Sequence, residues 1–188
     1  ESGHSLQQYT FRPEGTESVA GLIMLHGQGD HLRRYSHLAE MLCGRGILCT
    51  GMDLPGHGAS SGARGDIPSL AVVLDLLDRS AAHLRSQLPD GAPLGLFCHS
   101  MGGMAGMIWL TRRPGLCRFA WISSTLVEPR HRQHPLKSRL GLILSHVFPR
   151  LIVDTGVRTR LLHHRLQTMK YRDELMHHRI SLRFAAEL

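Results

Sequence analysis

The segment that decides the fold reads Leu94-Gly95-Leu96-Phe97-Cys98-His99-Ser100-Met101-Gly102-Gly103. Its first five residues form an apolar run that is typical of a buried strand, and the residues from 101 to 110 follow a pattern typical of a helix. Gly102 permits a turn tight enough to push the Ser100 hydroxyl away from the backbone, and Gly103 and Gly106 let the helix pack close to the sheet. The segment therefore predicts a strand-to-helix turn that exposes a reactive serine, unless Ser100 only caps the helix.

Strand and helix patterns alternate on both sides of this turn. Apolar runs predict parallel strands at residues 19–25, 47–52 and 117–122, and residues 6–11 predict an antiparallel edge strand. Helical stripes lie between these runs. The first consists of Tyr35, Leu38 and Leu42. The second consists of Ile67, Leu70, Leu74, Leu77 and Ala81, and Asp66 is its predicted cap. This order predicts an α/β fold, a mostly parallel sheet with helices on both faces.

The pattern changes after Ser124. The remaining residues predict helices and loops without a buried strand, and the charge changes at the same place. Residues 1–125 carry 10 Lys+Arg and 10 Asp+Glu, whereas residues 126–188 carry 12 and 5, so the whole net charge of +7 lies in this last part. We therefore expect an α/β core at 1–125 and a basic helical region at 126–188. The basic region either forms a solvated face or attracts an anionic lipid or substrate.

Composition excludes several classes of function. No apolar stretch approaches the roughly 18–20 residues of a membrane span, and no nucleic-acid motif accompanies the low aromatic content of 5%. Gly27-Gln28-Gly29 lacks the full dinucleotide fingerprint, so no cofactor is expected. The cysteines at 43, 49, 98 and 117 have no zinc-type spacing, so we expect no metal. Buried, reduced thiols would favour a cytoplasmic or peripheral-membrane location.

Two further motifs follow predicted strands. His26-Gly27-Gln28-Gly29-Asp30-His31 comes after the first parallel strand, and Asp53-Leu54-Pro55-Gly56-His57-Gly58-Ala59-Ser60 comes after the second. Ligands of open α/β sheets bind at the carboxyl ends of the strands, where both motifs and Ser100 would meet. The first motif is either a plain glycine-rich turn or a source of main-chain N–H donors. In the second motif we expect Asp53 and His57 to stabilise the loop, and we expect His99 to be a packing residue.

In this order and spacing the motifs resemble the α/β-hydrolase superfamily, and more closely its monoacylglycerol lipase and lysophospholipase branch. The resemblance is strong from 19 to 125 and looser from 126 to 188, which is similar to the helical cap of that branch. The motifs that carry it are Leu25 to His31, Tyr35, Asp53 to Ser60, Gly65 and His99 to Gly103.

The resemblance implies a serine ester hydrolase that acts on monoacylglycerol- or lysophospholipid-like acyl esters through an acyl-enzyme. Ser100 would be the nucleophile, and the main-chain N–H groups of Gln28 and Met101 would form the oxyanion hole. The residues that bind the rest of the substrate stay unassigned. Thioester or small-peptide hydrolysis on the same scaffold, and a non-catalytic binding module, stay open as alternatives.

The chain departs from the family pattern in two ways. Cys98 stands where the elbow usually has a glycine, so some strain is expected there. The triad acid and histidine, which follow the serine in this family, are not found after a convincing strand, although Glu128 lies shortly after the last predicted parallel strand and is a candidate for the acid. The other acids and histidines of this part of the chain are Asp154, Asp173, His131, His134, His146, His163, His164, His177 and His178. We therefore expect an N-terminal portion of a larger enzyme, cut near the end of its cap and lacking the C-terminal strands, inactive alone and prone to aggregate.

The predicted cap contains two basic amphipathic stretches, residues 136–147 and 157–169. The first places Leu140, Ile143 and Val147 on one side, with Arg139 near its start. Such a helix either packs on the core or lies in a lipid interface with its basic residues at the headgroups. The pattern therefore predicts an apolar acyl pocket with a basic rim, and the lipid alternative predicts a peripheral contact of the basic cap with an anionic membrane surface.

Overall fold

A five-stranded sheet carries the loops of interest. A computed structural model of the protein describes residues 5–15, 17–125, 135–155 and 173–188. The strands are β1 (Gln8–Phe11), β2 (Ala20–Leu25), β3 (Ile47–Met52), β4 (Leu94–His99) and β5 (Phe119–Ser123). They lie in the order β1-β3-β2-β4-β5. β2 to β5 are parallel, whereas β1 pairs antiparallel with β3. The predicted mostly parallel sheet and its antiparallel edge strand are both confirmed.

Helices cover both faces of this sheet. A 3-10 turn at Leu32–Tyr35 leads into α1 (Ser36–Cys43), and α2 (Leu70–Arg85) and α3 (Met101–Arg112) follow. Successive residues of a strand point to opposite faces, and the buried clusters divide in that way. One cluster joins α2 and α3 to Ile23, Leu94 and Leu96, and the other joins α1 to Leu22, Met24 and Phe97.

The start of α2 differs from the prediction. Ser69, and not Asp66, caps the helix, because its hydroxyl accepts the Val72 N–H at 3.3 Å. Pro68 disfavours a helical backbone at Ile67, so the helix cannot begin earlier. Asp66 instead binds Arg183 through two hydrogen bonds, Nε to Oδ1 at 2.8 Å and Nη2 to Oδ2 at 2.7 Å.

The chain after Ser124 contains strands that the sequence did not predict. α4 (Pro135–Val147) is followed by β6 (Ile152–Asp154), β7 (Arg179–Ser181) and α5 (Leu182–Ala185). β6 and β7 form an antiparallel pair, so the expectation of helices and loops alone is wrong here. Strands of three residues are too short to show a periodicity. Ile180 and Phe184 are buried in the α2–α3 cluster, which ties the last residues to the core. The predicted helix at 157–169 lies outside the described residues.

β5 forms an outer edge of the sheet. It pairs with β4, and within the described ranges no strand pairs with its other side. Phe119 and Trp121 on this strand are 46% and 57% exposed. An apolar exposed edge favours association between chains, and the tendency to aggregate stays a prediction.

Candidate active site

Three motif loops lie at the carboxyl ends of neighbouring parallel strands. His26 follows β2, Asp53 follows β3, and Ser100 follows β4. Because β2 lies between β3 and β4, its loop lies between the other two. This edge of the sheet is where open α/β folds bind their ligands.

Ser100 occupies a sharp turn between β4 and α3. Its backbone has φ 54° and ψ −121°, and Ser124 is the other non-glycine residue with positive φ in the described part of the chain. The Ser100 N–H donates to the Ser123 carbonyl at 2.9 Å, and its own carbonyl accepts the Gly103 N–H at 2.9 Å. The hydroxyl makes no capping hydrogen bond to α3. The alternative that Ser100 only caps the helix is therefore wrong, and a strained backbone holds a hydroxyl that makes no hydrogen bond to the residues that the structure describes.

Glycines allow the β2 loop to approach this turn closely. A Cβ atom on Gly27 would lie 3.0 Å from the Ser100 Cβ and 3.6 Å from the Ser100 Oγ. A Cβ atom on Gly102 would collide with the His26 carbonyl oxygen. Gly27, which precedes Gln28, therefore packs against Ser100, and Gly102, which follows Met101, packs against the His26 carbonyl.

Cys98 stands where a glycine was expected, and its backbone is not left-handed, so the position does not require a glycine. Its thiol is fully buried, and burial raises the pKa of the thiol. A Cβ atom on Gly106 of α3 would lie 2.5 Å from the Cys98 Sγ. The space for the larger residue is thus supplied by a glycine on the helix. The expected strain lies at Ser100 instead of Cys98.

The β2 loop is held by a buried carboxylate. Asp30 accepts hydrogen bonds from the Tyr35 hydroxyl at 2.6 Å, Arg34 Nη1 at 2.9 Å and the His31 N–H at 2.8 Å. Burial would raise the pKa of the Asp30 carboxyl, but the hydrogen bond from Tyr35 and the charge of Arg34 hold it below its usual value.

His26 links this loop to the loop after β3. Its Nδ1 donates to the Gly27 carbonyl at 2.8 Å, and its Nε2 accepts the Leu54 N–H at 3.0 Å. These two partners require a neutral ring, and burial lowers the pKa of His26.

The loop after β3 has the predicted structural role. Asp53 accepts the Leu32 N–H at 2.8 Å and the Ala59 N–H at 2.9 Å, and the Tyr9 hydroxyl donates to it at 3.2 Å. His57 Nδ1 donates to the Pro55 carbonyl at 2.9 Å. Both side chains are fully buried, and their hydrogen-bond partners are Tyr9, Leu32, Pro55 and Ala59 and not the Ser100 hydroxyl.

Residues 173–181, here called the strap, contact the motif loops. Asp173 Oδ2 lies 2.8 Å from His31 Nε2, and the His177 N–H donates to the Gly29 carbonyl at 3.0 Å. The His177 ring also donates from Nε2 to the Gly56 carbonyl at 3.2 Å. Sequence reasoning missed these contacts because they join residues more than 100 positions apart. A local pattern carries no signal for them.

The pKa values of two strap residues reflect these contacts. Burial would raise the pKa of the Asp173 carboxyl, but hydrogen bonds from His31 and from the Leu175 N–H hold it below its usual value. Burial lowers the pKa of His177 to about 4, so this ring is neutral near pH 7. Both side chains are therefore already paired with core loops instead of with Ser100.

The structure brings no acid–base pair to the Ser100 hydroxyl among residues 5–15, 17–125, 135–155 and 173–188. His99 Nδ1 lies 3.4 Å from the Ser123 Oγ, and His146 on α4 donates to the Leu142 carbonyl. Asp154 lies on β6, and His178 directly precedes β7. The remaining candidates lie outside the described residues: Glu128, His131, His134, His163 and His164.

Two cavities in the described part lie beside the strap. One of about 590 Å³ is lined by residues around His31, Arg34 and Asp173, and one of about 430 Å³ lies beside Arg64 and His178. Within the same residues, no group of three or more His, Cys, Asp and Glu side chains is arranged to hold a metal. All four cysteines are free thiols.

Comparison with known proteins places these features in a family. A family model described as serine aminopeptidase, S33 matches residues 16–188. The chain is similar to monoglyceride lipase of Homo sapiens, at 33% identity over 164 residues, covering 81% of this chain and 52% of that protein. It is also similar to phospholipase YtpA of Bacillus subtilis, at 29% identity over 141 residues, covering 74% of this chain and 53% of that protein.

A solved structure agrees with the sequence comparisons. The monoacylglycerol lipase of Paleococcus ferrophilus superposes with a TM-score of 0.83 and 28% identity, covering 97% of this chain and 68% of that one. The α/β-hydrolase fold predicted from the sequence is thereby confirmed. The chain spans about half the length of the two curated relatives.

Proposed function

Because this chain belongs to the serine aminopeptidase S33 family, in the monoacylglycerol lipase branch of the α/β hydrolases, we propose that Ser100 is the nucleophile of a carboxylic-ester hydrolase. The observation that carries the proposal is the left-handed backbone of Ser100, whose hydroxyl neither caps α3 nor bonds to another described residue. A fold retains such strain when the turn has a use.

The proposed reaction proceeds through an acyl-enzyme. The Ser100 Oγ attacks the acyl carbonyl and its proton passes to a general base, while the carbonyl oxygen becomes an oxyanion. The main-chain N–H groups of Gln28 and Met101 stabilise that oxyanion, and the N-terminus of α3 adds a favourable dipole. The alcohol leaves with a proton, and water then hydrolyses the acyl-enzyme. In this family the acid and histidine follow the serine along the chain, and none of the described residues is assigned to these roles.

The proposed substrates are monoacylglycerols or lysophospholipids. Support comes from the relatives, of which one is named a monoglyceride lipase and one a phospholipase. The description of the matching family as an aminopeptidase favours small-peptide hydrolysis as the second candidate. Thioester hydrolysis on the same scaffold is a third specificity that the assay below distinguishes.

Labelling and turnover test this proposal. The protein is expressed from its complete coding sequence and treated with a fluorophosphonate, and hydrolysis of 1-oleoylglycerol, a lysophospholipid, an acyl thioester and an aminoacyl anilide is measured. We expect the probe on Ser100 and the fastest turnover with the oxygen esters. Ser100→Ala should lower kcat by at least about 10³-fold, because the acyl-enzyme cannot form.

The matched control is Ser86→Ala, which removes an exposed hydroxyl at the end of α2 and should keep the activity. Retained activity in Ser100→Ala would contradict the proposal. A folded protein that neither reacts with the probe nor turns over any substrate would favour the non-catalytic binding module. The same assay on residues 1–188 alone tests the predicted inactivity, which hydrolysis at the rate of the intact protein would contradict.

We also propose that α4 contacts an anionic membrane surface. Its apolar face is exposed: Leu140, Ile143 and Val147 are 55%, 60% and 61% exposed, and Phe148 continues the face beyond the helix. Arg139 and Arg150 are exposed at the two ends of this apolar surface. An apolar helix face with basic residues at its rim suits a lipid interface with anionic headgroups. No helix among the described residues combines the length and apolar character that crossing a bilayer requires.

Vesicle binding tests this second proposal. We expect the protein to sediment with vesicles of phosphatidylcholine and phosphatidylserine more than with phosphatidylcholine alone, and to dissociate at high salt. Ile143→Glu should lower the bound fraction about tenfold, because a carboxylate would enter the interface. Met41→Glu is the matched control, since Met41 is 50% exposed on α1. Equal binding by both variants would show that α4 does not face the lipid.

A further inference from the structure

The strap is anchored in the core on one side and bound to the β2 loop on the other. Ile180 and Phe184 are 7% and 0% exposed within the core cluster, and the Ser181 N–H donates to the Gly65 carbonyl at 3.0 Å. The opposite side of the strap receives the Gly29 and His31 contacts of the β2 loop. A Cβ atom on Gly29, whose φ is 73°, would collide with the His177 carbonyl oxygen. The fold therefore holds the strap and the loop in tight contact.

Gln28 makes the central link between the two segments. Its Nε2 donates to the Arg179 carbonyl at 2.8 Å and lies 3.4 Å from the Gly65 carbonyl. Both neighbours are acceptors, so the amide nitrogen, and not the oxygen, must face them. The Oε1 atom is buried and has no partner among the described residues. The amide is thus held through its nitrogen alone.

The loop needs such a link because glycines flank Gln28 on both sides. Gly27 lacks a side chain so that it can approach Ser100, and Gly29 adopts a left-handed backbone against the strap. Glycines leave the peptide groups of the loop free to rotate unless tertiary contacts hold them. An oxyanion donor is effective only when its N–H points at the developing charge, and a misplacement of about 1 Å costs about 10² in rate.

We propose that the Gln28 side chain is a strut that positions the main-chain N–H of the same residue for the oxyanion. The strap binds the end of this side chain through the Arg179 carbonyl, so the placement of the donor depends on residues 173–181. Gln28 is then a positioning residue through its side chain. A substitution can remove this side chain and still keep the main-chain N–H. This inference rests on the proposed function, in which that N–H stabilises the oxyanion.

Steady-state kinetics on the protein expressed from its complete coding sequence test the strut. Gln28→Met keeps the length of the side chain and removes its N–H donors, and Gln28→Glu places a carboxylate against two carbonyl oxygens. Competent sites are counted with a fluorophosphonate, and hydrolysis of p-nitrophenyl butyrate is measured per competent site. We expect kcat to fall about 10- to 100-fold in Gln28→Met and further in Gln28→Glu, with KM changed less than about threefold.

A trifluoromethyl ketone gives an independent readout. It forms a tetrahedral adduct with the serine, so its inhibition constant should weaken by the same factor as kcat. Gln87→Met is the matched control, because it removes an amide that contacts His83 on α2. A residue with a purely structural role would lower Tm and the number of competent sites, but not kcat per site. An unchanged kcat per site in both Gln28 variants would overturn the proposal.

Hydrogen exchange tests the strut without turnover. Segments that include residues 26–31 should exchange about tenfold faster in Gln28→Met than in Gln87→Met, because the loop opens more often. Unchanged exchange with normal turnover by the wild type would overturn the strut alone. Absent turnover and labelling in the wild type would overturn the proposed function, and with it the catalytic role of the strut.

Discussion

At the scale of single residues, three imidazoles connect the strap to the β2 loop, of which His26 and His57 are buried and His177 is half-buried. The ring centroids of His26 and His57 are 5.5 Å apart, and those of His57 and His177 are 4.6 Å apart. Each ring donates to a main-chain carbonyl, those of Gly27, Pro55 and Gly56. Burial is the main cause that lowers the pKa of all three histidines, and repulsion from the charged form of His26 adds to it for His57 and His177. The rings are therefore neutral in the folded protein near pH 7.

This arrangement predicts a loss of stability in acid. Histidines of the unfolded chain take up protons near pH 6.5, whereas His177 in the folded protein does so only near pH 4. The free energy of unfolding should be constant above pH 6.5 and fall as the pH is lowered towards 4, because the unfolded state binds more protons in that window. The other charged groups that face these rings are Asp30, Asp53, His31, Arg64 and Arg179.

The substitution His177→Gln isolates the contribution of one imidazole to the pH dependence of the free energy of unfolding. Glutamine keeps a donor for the Gly56 carbonyl and cannot be protonated, so the loss between pH 6.5 and 4.5 should shrink by about 1–2 kcal/mol after allowance for solvent screening. Urea denaturation at several pH values measures this difference. His146→Gln, on the exposed surface of α4, is the control for removal of an imidazole. An unchanged pH dependence in His177→Gln would contradict the prediction.

At the scale of the elements, α3 fits against the sheet through glycines. Gly102 packs on the His26 carbonyl, Gly103 on Thr125, and Gly106 on the Cys98 thiol. The helix can therefore approach β4 closely enough for its N-terminus to lie at the carboxyl end of the strand. Cys98 and Gly106 form a matched pair. Cys98 is larger than the glycine expected in the turn, and Gly106 leaves the space that the Cys98 sulfur occupies.

A double-mutant cycle tests this pair. Gly106→Ala should lower the free energy of unfolding by about 1–3 kcal/mol, because the new methyl group overlaps the Cys98 Sγ. In a Cys98→Ala background the same change should cost about 1–2 kcal/mol less, since the sulfur is absent. Gly141→Ala in α4 is the control, because nothing lies within 4 Å of its added Cβ and the helix propensity of alanine favours it. Additive effects of the two substitutions would contradict the pairing.

At the scale of the whole molecule, the last described residues fold back onto the core. Phe184 is fully buried, and Arg183 binds Asp66 with two hydrogen bonds. The strap thereby places a segment of the basic part of the chain against the loops around Ser100. The division of the chain into a core and a cap at residue 125 remains a prediction. Residues 179–185 lie after this division but pack on the core.

The sequence by itself determined the order of strands and helices, because long periodic patterns with glycine and proline boundaries are local signals. It also located Ser100, Gln28 and Met101 as candidates, since a turn between a strand and a helix has a local composition. Only the tertiary structure decided that Ser69 caps α2, that Gly106 makes room for Cys98, and that the strap holds the β2 loop. These features depend on contacts between residues far apart in the chain, and no periodicity records which distant residues will meet. The side-chain role of Gln28 is of this kind, because its partner is a main-chain carbonyl that any residue at position 179 would supply.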